Sequence, residues 1–189
     1  TFSTRLENQD LDETKYQMIV SEQYNTNHQS YIYNNNDIKK YINQTIWMYD
    51  YPLHHPNIIS SLLMNQLAKK KNLKVLLSGD GADELFSGYF WDFAEPNKSN
   101  YYDDLIMSDC YLPYELSKNL FNIKQNDLES RYKLVQDIDN YHTARSLLNQ
   151  RCYLDKWLQR QDRAGMFASV EIRVPYCNVE LFKTINSIN

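Results

Sequence analysis

The sequence predicts an α/β protein built around a parallel sheet. Short β-prone segments alternate with helical patterns through residues 1–90, which is typical of βαβ units. Residues 73–77 form an apolar run between turn signals, as in a buried parallel strand. Three of the four glycines in the chain, Gly79, Gly81 and Gly88, lie just after this run. In such sheets ligands bind at the carboxyl ends of the strands, where this glycine-rich turn begins.

The elements of the first half follow one another in short steps. Residues 1–6 and 28–33 favour strands, and a helical pattern separates them. Residues 34–37 form an Asn-rich turn whose side chains can cap the next helix. A further helix places aliphatic side chains on one face: Ile58, Ile59, Leu62, Leu63 and Leu67.

The second half has a different pattern, because its apolar residues from residue 101 onward fit helices without strand alternation. We therefore predict one domain, with an α/β part over residues 1–90 and a mainly helical part over residues 91–189.

Composition narrows the classes of partner. A net charge of −4 over 189 residues argues against nucleic acid or an anionic membrane as the main partner. No apolar run reaches the roughly 20 residues that span a bilayer. An odd number of cysteines, three, predicts reduced thiols and a cytoplasmic location. The chain begins without Met, and we expect it to be part of a longer protein.

The turn at residues 78–83 carries the chemistry. Glycines let a backbone approach a ligand closely, and a strand that turns into a helix there aims N–H groups at an anion. Asp80 and Asp83 would repel a phosphate unless a cation lay between them, so the pattern indicates a phosphate site with Mg²⁺. The alternative is an ordinary turn whose acidic residues complement the helix dipole.

Two further groups of residues carry weaker signals. Glu171 and Arg173 flank an apolar residue just before Pro175, where a helix terminus with solvated charges is the simple interpretation. His54 and His55 could suggest a metal, but adjacent histidines do not easily share one ion, and a substrate-side loop is favoured.

Residues 78–89, Ser-Gly-Asp-Gly-Ala-Asp-Glu-Leu-Phe-Ser-Gly-Tyr, resemble a signature of the asparagine synthetase family, in its glutamine-hydrolysing synthetase domain. Ser87 departs from the glycine usual there. Residues 162–178 resemble a later motif of the same family, with Cys177 for Leu and Asn178 for Asp. Losing that carboxylate puts any charge-dependent role of position 178 in doubt.

The resemblance implies an adenine-nucleotide α-hydrolase-like, Rossmann-like fold, truncated here, and a two-step amide ligation. ATP adenylates an aspartate-like carboxylate, pyrophosphate leaves with Mg²⁺, and ammonia from an N-terminal glutaminase domain attacks the product. A homodimer of the full-length protein is a further expectation.

The resemblance also assigns roles to residues. Asp83 is expected to bind Mg²⁺, and Ser78 and Gly79 to contact the nucleotide. Asp80 takes the position of the catalytic acid that steers ammonia. Thr4, in a segment similar to the second strand of the family, is expected to place its backbone against the adenine.

Glu171 and Arg173 are expected, by the same resemblance, to belong to a substrate loop. The pyrophosphate loop of the family, Ser-Gly-Gly-x-Asp-Ser, needs adjacent glycines, and this chain has none. We therefore predict that these 189 residues alone are inactive.

Two other functions stay open at this point. One is a non-catalytic relative that acts as a scaffold or partner, as two departures favour: Tyr51 stands where the family often has Glu, in Asp-Glu-Pro, and Asn178 stands where it has Asp. The other is a cyclase-type ligase resembling β-lactam or lasso-peptide synthetases, although the acid at Asp80 argues for the ammonia-using branch.

Overall fold

The structure is a computed structural model that describes residues 1–7, 12–51, 57–89, 92, 119–120 and 126–188. The interpretation of His54 and His55 as part of a substrate-side loop falls outside the described residues, as does Cys110.

The described chain alternates strands and helices in its first half and is mostly helical overall. The elements, in chain order, are β1 (Phe2–Leu6), α1 (Thr14–Gln23), β2 (Gln29–Tyr33), α2 (Asn35–Tyr49), α3 (Asn57–Lys70), β3 (Val75–Leu77), α4 (Ala82–Phe86), α5 (Asn126–Val135), α6 (Tyr141–Leu148), α7 (Leu154–Ala168), β4 (Glu171–Arg173) and α8 (Val179–Asn186). A π-helical turn, Asn149–Tyr153, joins α6 to α7, and a 3-10 turn, Pro175–Cys177, precedes α8.

The strands form two parallel pairs, which confirms the predicted parallel pairing. Strand β1 pairs with β2, from Phe2 opposite Gln29 to Leu6 opposite Tyr33. Strand β3 pairs with β4, with Leu77 opposite Arg173. Each sheet has two strands within the described residues, so the protein is a mixed α/β fold with small parallel sheets.

Two expectations about these strands were wrong. Residues 171–173 form strand β4, not a helix terminus, because Glu171 N donates to Lys74 O at 2.7 Å and opens a ladder with β3. Strand β3 was expected to be buried, yet the Leu77 side chain is 73% exposed. An apolar run alone does not decide which elements cover a strand.

The chain divides into two compact units, and the first contains Thr1–Ser78 and Gln159–Arg173. In this unit, the prediction that residues 34–37 cap the next helix is confirmed at the start of α2. The Asn34 side chain accepts a hydrogen bond from Asn36 N at 2.9 Å, and Asp37 accepts one from Asn34 N at 3.1 Å. These bonds satisfy backbone donors that a helix start leaves unpaired.

The core of this first unit lies against α3. The predicted aliphatic face is confirmed at four of its five positions, Ile58, Ile59, Leu62 and Leu63, which are buried. Ile58 and Leu62 form one cluster with residues from α2 and α7, namely Met48, Tyr49 and Ala164. Burial of large aliphatic side chains is the main stabilising term for such a unit.

The second unit contains Gly79–Leu158 and Val174–Asn189. Its apolar cluster consists of Val135, Ala144 and Leu148, with partly buried residues around it. Asn140 caps the start of α6, and its side chain accepts a hydrogen bond from Thr143 N at 3.0 Å. The predicted division at residue 90 stays a prediction, since most of residues 90–125 lie outside the described chain.

None of the described helices has the length and apolarity needed to cross a bilayer.

Candidate functional site

The glycine-rich turn continues directly from strand β3. Ser78 N donates to Arg173 O at 2.8 Å, which extends the β3–β4 ladder by one bond. Ala82 N then donates to Gly79 O at 3.1 Å and closes a tight turn into α4. Gly81, the residue before α4, has a φ of 96°, a conformation that side-chain-bearing residues rarely adopt. The predicted strand–turn–helix arrangement is therefore present.

The three glycines near this turn have different surroundings. A Cβ atom on Gly79 would meet no atom within 4 Å. A Cβ atom on Gly81 would lie 3.0 Å from Cys177 Sγ, and one on Gly88 would lie 2.1 Å from Asp83 Oδ1. Gly81 and Gly88 are thus explained by packing within the protein. Gly79 faces open space, which leaves room for a ligand near the backbone.

Asp83 lies in the first turn of α4 with its side chain exposed. Neighbouring protein atoms still remove part of the hydration of its carboxylate. This desolvation, followed by the negative charges of Asp92 and Asp80, raises the pKa of Asp83. The turn therefore gathers negative charge that a bound cation would relieve.

Glu84 points into the protein and is only 2% exposed. The Tyr89 hydroxyl donates to Glu84 Oε1 at 2.5 Å. Burial raises the pKa of Glu84, whereas the hydrogen bond from Tyr89 opposes this rise. Burial and the nearby Glu84 also raise the pKa of Tyr89. This pair fixes α4 from inside, so of the two acidic side chains of α4 the one at the surface is Asp83.

Sequence reasoning missed a buried polar cluster behind the turn. The Asp92 carboxylate accepts hydrogen bonds from Tyr89 N at 3.2 Å and Asn149 Nδ2 at 2.9 Å. Arg145 Nε lies 3.7 Å from Asp92 Oδ1, and both side chains are buried. His142 Nδ1 lies 3.0 Å from Asp92 O. Apart from Tyr89, these partners are 50 or more residues away in sequence, so no local pattern could have indicated the cluster.

The later motif contacts the same turn through Cys177. Its Sγ lies 3.9 Å from Asp80 O and close to Gly81. Burial, followed by the charges of Glu84 and Asp80, raises the pKa of the Cys177 thiol, so the neutral thiol is favoured.

Asn178 caps α8, and its Oδ1 accepts hydrogen bonds from Glu180 N at 2.9 Å and Leu181 N at 3.1 Å. Asn and Asp serve this role about equally well. The departure from Asp at position 178 therefore leaves the capping function intact.

The remaining predicted residues lie on strands. Glu171 and Arg173 form an exposed ion pair on β4, with Arg173 Nε 2.8 Å from Glu171 Oε1. Thr4 lies in the middle of β1, opposite Tyr31, and its carbonyl accepts a hydrogen bond from Gln17 Nε2 at 3.2 Å. The structure thus brings Arg173 beside Ser78, whereas Thr4 belongs to the other strand pair.

The turn is compatible with a metal site whose ligands come partly from protein carboxylates and partly from phosphate oxygens of a nucleotide. Among the described residues, no group of three or more His, Cys, Asp or Glu side chains is placed to hold a metal. Mg²⁺ at nucleotide sites keeps several waters and takes one or two carboxylates together with phosphate oxygens. Asp83, with Asp80 near enough to raise its pKa, fits that requirement.

A parallel strand, an open glycine turn and a helix start in succession make this a mixed α/β protein with the arrangement at which many α/β proteins bind anions. Comparison with known proteins gives the family. The profile of the asparagine synthase family matches residues 1–189, and the chain belongs to this family. The family consists of ATP-dependent amide ligases.

Individual relatives are distant. The chain is 27% identical over 179 residues to the glutamine-hydrolyzing asparagine synthetase 3 of Bacillus subtilis. This match covers 89% of this chain and 29% of the Bacillus protein. It is 36% identical over 89 residues to the "Putative asparagine synthetase (glutamine-hydrolyzing) 2" of Methanocaldococcus jannaschii, over 47% of this chain and 17% of that protein. The chain therefore spans less than a third of the length of these relatives.

Proposed function

We propose that the chain contributes the nucleotide-binding part of an ATP-dependent carbon–nitrogen ligase of the glutamine-hydrolysing asparagine synthase type. The observation that supports this most is the turn between β3 and α4. It combines a glycine open to solvent, Gly79, with an exposed carboxylate, Asp83, one turn further on. Family membership gives the reaction class to which this turn belongs.

Four residues, Ser78, Gly79, Asp80 and Asp83, act on the nucleotide, the metal and ammonia. Bound ATP supplies an electrophilic phosphorus that turns a carboxylate oxygen into a good leaving group, with departure of pyrophosphate. Ser78 and Gly79 bind the nucleotide, and Asp83 would hold Mg²⁺, which would supply the positive charge that offsets the charge of the phosphates. Ammonia then forms the carbon–nitrogen bond while the carbon–oxygen bond to the adenylate breaks and AMP leaves, and Asp80 orients the ammonia and accepts one of its protons.

The substrate side is also part of the proposal. An aspartate-like carboxylate is activated, and ammonia comes from a glutaminase domain. Glu171 and Arg173 lie on strand β4 and not in a loop, and we assign them to the substrate side because β4 lies beside the first residue of the turn. Thr4 contacts the adenine through its backbone N–H, since its carbonyl already accepts a hydrogen bond from Gln17.

The acid at Asp80 favours this reaction over cyclase-type ligation, which needs no ammonia. A carboxylate at this position can accept a proton from ammonia and stabilise the positive charge that develops on nitrogen. Scaffold function would place no requirement on Asp80 or Asp83. Asp83→Asn therefore separates a ligase-type nucleotide site from a scaffold.

The test is a nuclear magnetic resonance titration of the chain with ATP in the presence and absence of Mg²⁺. We expect saturable shifts at residues 78–83 that Mg²⁺ strengthens, and we expect Asp83→Asn to remove the strengthening. Glu22→Gln, which neutralises an exposed carboxylate on α1, is the matched control and should behave as the parent. Absence of shifts at residues 78–83, or equal Mg²⁺ dependence in Asp83→Asn, would refute the proposal.

A second measurement addresses turnover. ATP–pyrophosphate exchange with aspartate and Mg²⁺ is expected to be absent from these 189 residues, because the chain has no adjacent glycines for a second phosphate loop. Clear exchange would show that this loop is not needed.

A further inference from the structure

The first unit contains an open pocket that shares no lining residue with the nucleotide turn. Its volume is about 570 Å³, within the range of small-molecule sites. Seven residues from the C-terminal end of α2 and from α7 line it: Trp47, Met48, Asp50, Asp162, Arg163, Met166 and Phe167. Three of them, Asp162, Arg163 and Met166, belong to the later sequence motif, and the ligase proposal gives them no role.

One side of the pocket is apolar and fixed. The Trp47 and Phe167 rings meet edge to face with centroids 5.8 Å apart, which joins α2 to α7. Met48 belongs to the buried cluster below. Trp47 is nevertheless 76% exposed and Met166 67% exposed. Large apolar side chains left open beside a pocket are a feature of binding surfaces.

The rest of the lining is charged. Asp50 is the residue that follows α2 and has a left-handed conformation with a φ of 52°. It lies next to the carbonyl groups at the C-terminal end of that helix. Both the carboxylate and those carbonyls favour a cation. Asp162 adds a second carboxylate, and Arg163 provides a guanidinium group. In the described part of the chain, none of these three side chains forms an ion pair or a hydrogen bond.

From this combination we infer that the pocket binds a free amino acid with an apolar or aromatic side chain. The ligand carries one negative and one positive group next to an apolar arm, and the pocket offers a partner for each. Arg163 matches the flat geometry of a carboxylate, which it can bind through two parallel hydrogen bonds. Asp50 and Asp162 accept hydrogen bonds from the ammonium group. Trp47 and Met166 cover the side chain of the ligand.

Three probes of similar size test which charged groups of the ligand the pocket recognises. L-phenylalanine carries both charges, 2-phenylethylamine lacks the carboxylate, and 3-phenylpropionate lacks the ammonium group. With L-phenylalanine we expect saturable nuclear magnetic resonance shifts at the lining residues and a change in tryptophan fluorescence from Trp47. We expect either analogue to bind at least about threefold more weakly. Equal binding of all three probes would mean an apolar patch only, and no binding of L-phenylalanine would also overturn the inference.

Variants assign the two charges separately. Arg163→Gln should remove the preference for L-phenylalanine over 2-phenylethylamine, and Asp162→Asn should remove its preference over 3-phenylpropionate. Lys39→Gln, a charge removal at an exposed site of α2 away from the lining, should change neither. Unchanged preferences in both pocket variants would overturn the inference. ATP titrations of the same variants should match the parent, so this site and the nucleotide turn can fail independently.

Discussion

Replacing Gly79 by alanine separates ligand contact from folding. The position carries no positive φ, and an added Cβ would meet no atom within 4 Å. Alanine therefore fits the ligand-free protein without strain. Because alanine also restricts the unfolded chain, we expect Gly79→Ala to stabilise the protein by about 0.4–1 kcal/mol.

ATP binding should change in the opposite direction. If the nucleotide lies against the Gly79 backbone, the new methyl group takes up space that the phosphates need. Forcing a methyl group into a filled space costs about 1–3 kcal/mol, which corresponds to roughly 5- to 150-fold weaker binding. Urea unfolding followed by circular dichroism measures the stability change, and the ATP titration measures the affinity.

Gly88→Ala is the contrasting variant for the stability measurement. Its Cβ would lie 2.1 Å from Asp83 Oδ1 and 3.1 Å from the Asp83 Cα atom, so the main chain must move. We expect a loss of about 1–3 kcal/mol in stability. If Gly79→Ala is stable and binds ATP as tightly as the parent, the nucleotide does not contact this glycine and the reasoning about the turn is wrong.

Three further predictions concern neighbouring residues. Asn178→Ala should lower stability by about 0.5–2 kcal/mol in urea unfolding, because two backbone N–H groups of α8 lose their acceptor, whereas Asn178→Asp should be neutral. Ser87, the residue after α4, has a φ of 55°; Ser87→Gly should raise the free energy of unfolding by about 0.5–1 kcal/mol, and Ser87→Ala should not. Asp83 has a raised pKa, so the folded state binds its proton more tightly and stability falls as pH rises from the ordinary carboxyl pKa through the raised one. Asp83→Asn should therefore stabilise the ligand-free protein at neutral pH and not at low pH, as melting curves across pH would reveal.

Elements determined by local patterns were predictable from the sequence. The start of α2 follows from Asn34 and Asp37 alone, since both capping bonds lie within four residues. The buried face of α3 follows from the spacing of its aliphatic residues. The turn after β3 was also predictable, because glycine at position 81 reflects a backbone conformation that other residues avoid.

Features that depend on distant partners were not predictable. Strand β4 is three residues long, and its pairing with β3 is what makes it a strand. The exposure of Leu77 depends on which elements cover the sheet, which its own side chain does not encode. The partners of Asp92 come from α6 and the π-helical turn, far along the chain. Of the site residues assigned by resemblance, Ser78, Gly79 and Asp80 lie between β3 and α4, Asp83 lies in α4, and Thr4, Glu171 and Arg173 lie on strands. Their roles stay predictions.

The buried polar groups explain how a five-residue helix can present a metal ligand. A helix as short as α4 has no stability of its own in water. Its position is instead fixed from inside by the hydrogen bond between Tyr89 and Glu84, and from behind by Asp92. The charge of Asp92 is offset by Arg145, which leaves Asp83 as an exposed carboxylate without such an internal cation among the described residues.

Asn149 is predicted to help position the turn, because it supports the buried carboxylate of Asp92. Its Nδ2 atom donates to Asp92 Oδ1 at 2.9 Å, and Asp92 in turn holds Tyr89 N. Asn149→Leu would leave the buried carboxylate with one hydrogen bond fewer, at a cost of about 1.5–3 kcal/mol for a charged acceptor. If the cluster positions the turn, the Mg²⁺ dependence of ATP binding should weaken in Asn149→Leu and recover in Asn149→Gln. If Asn149→Leu loses stability while that dependence is unchanged, the cluster supports the fold and does not position Asp83.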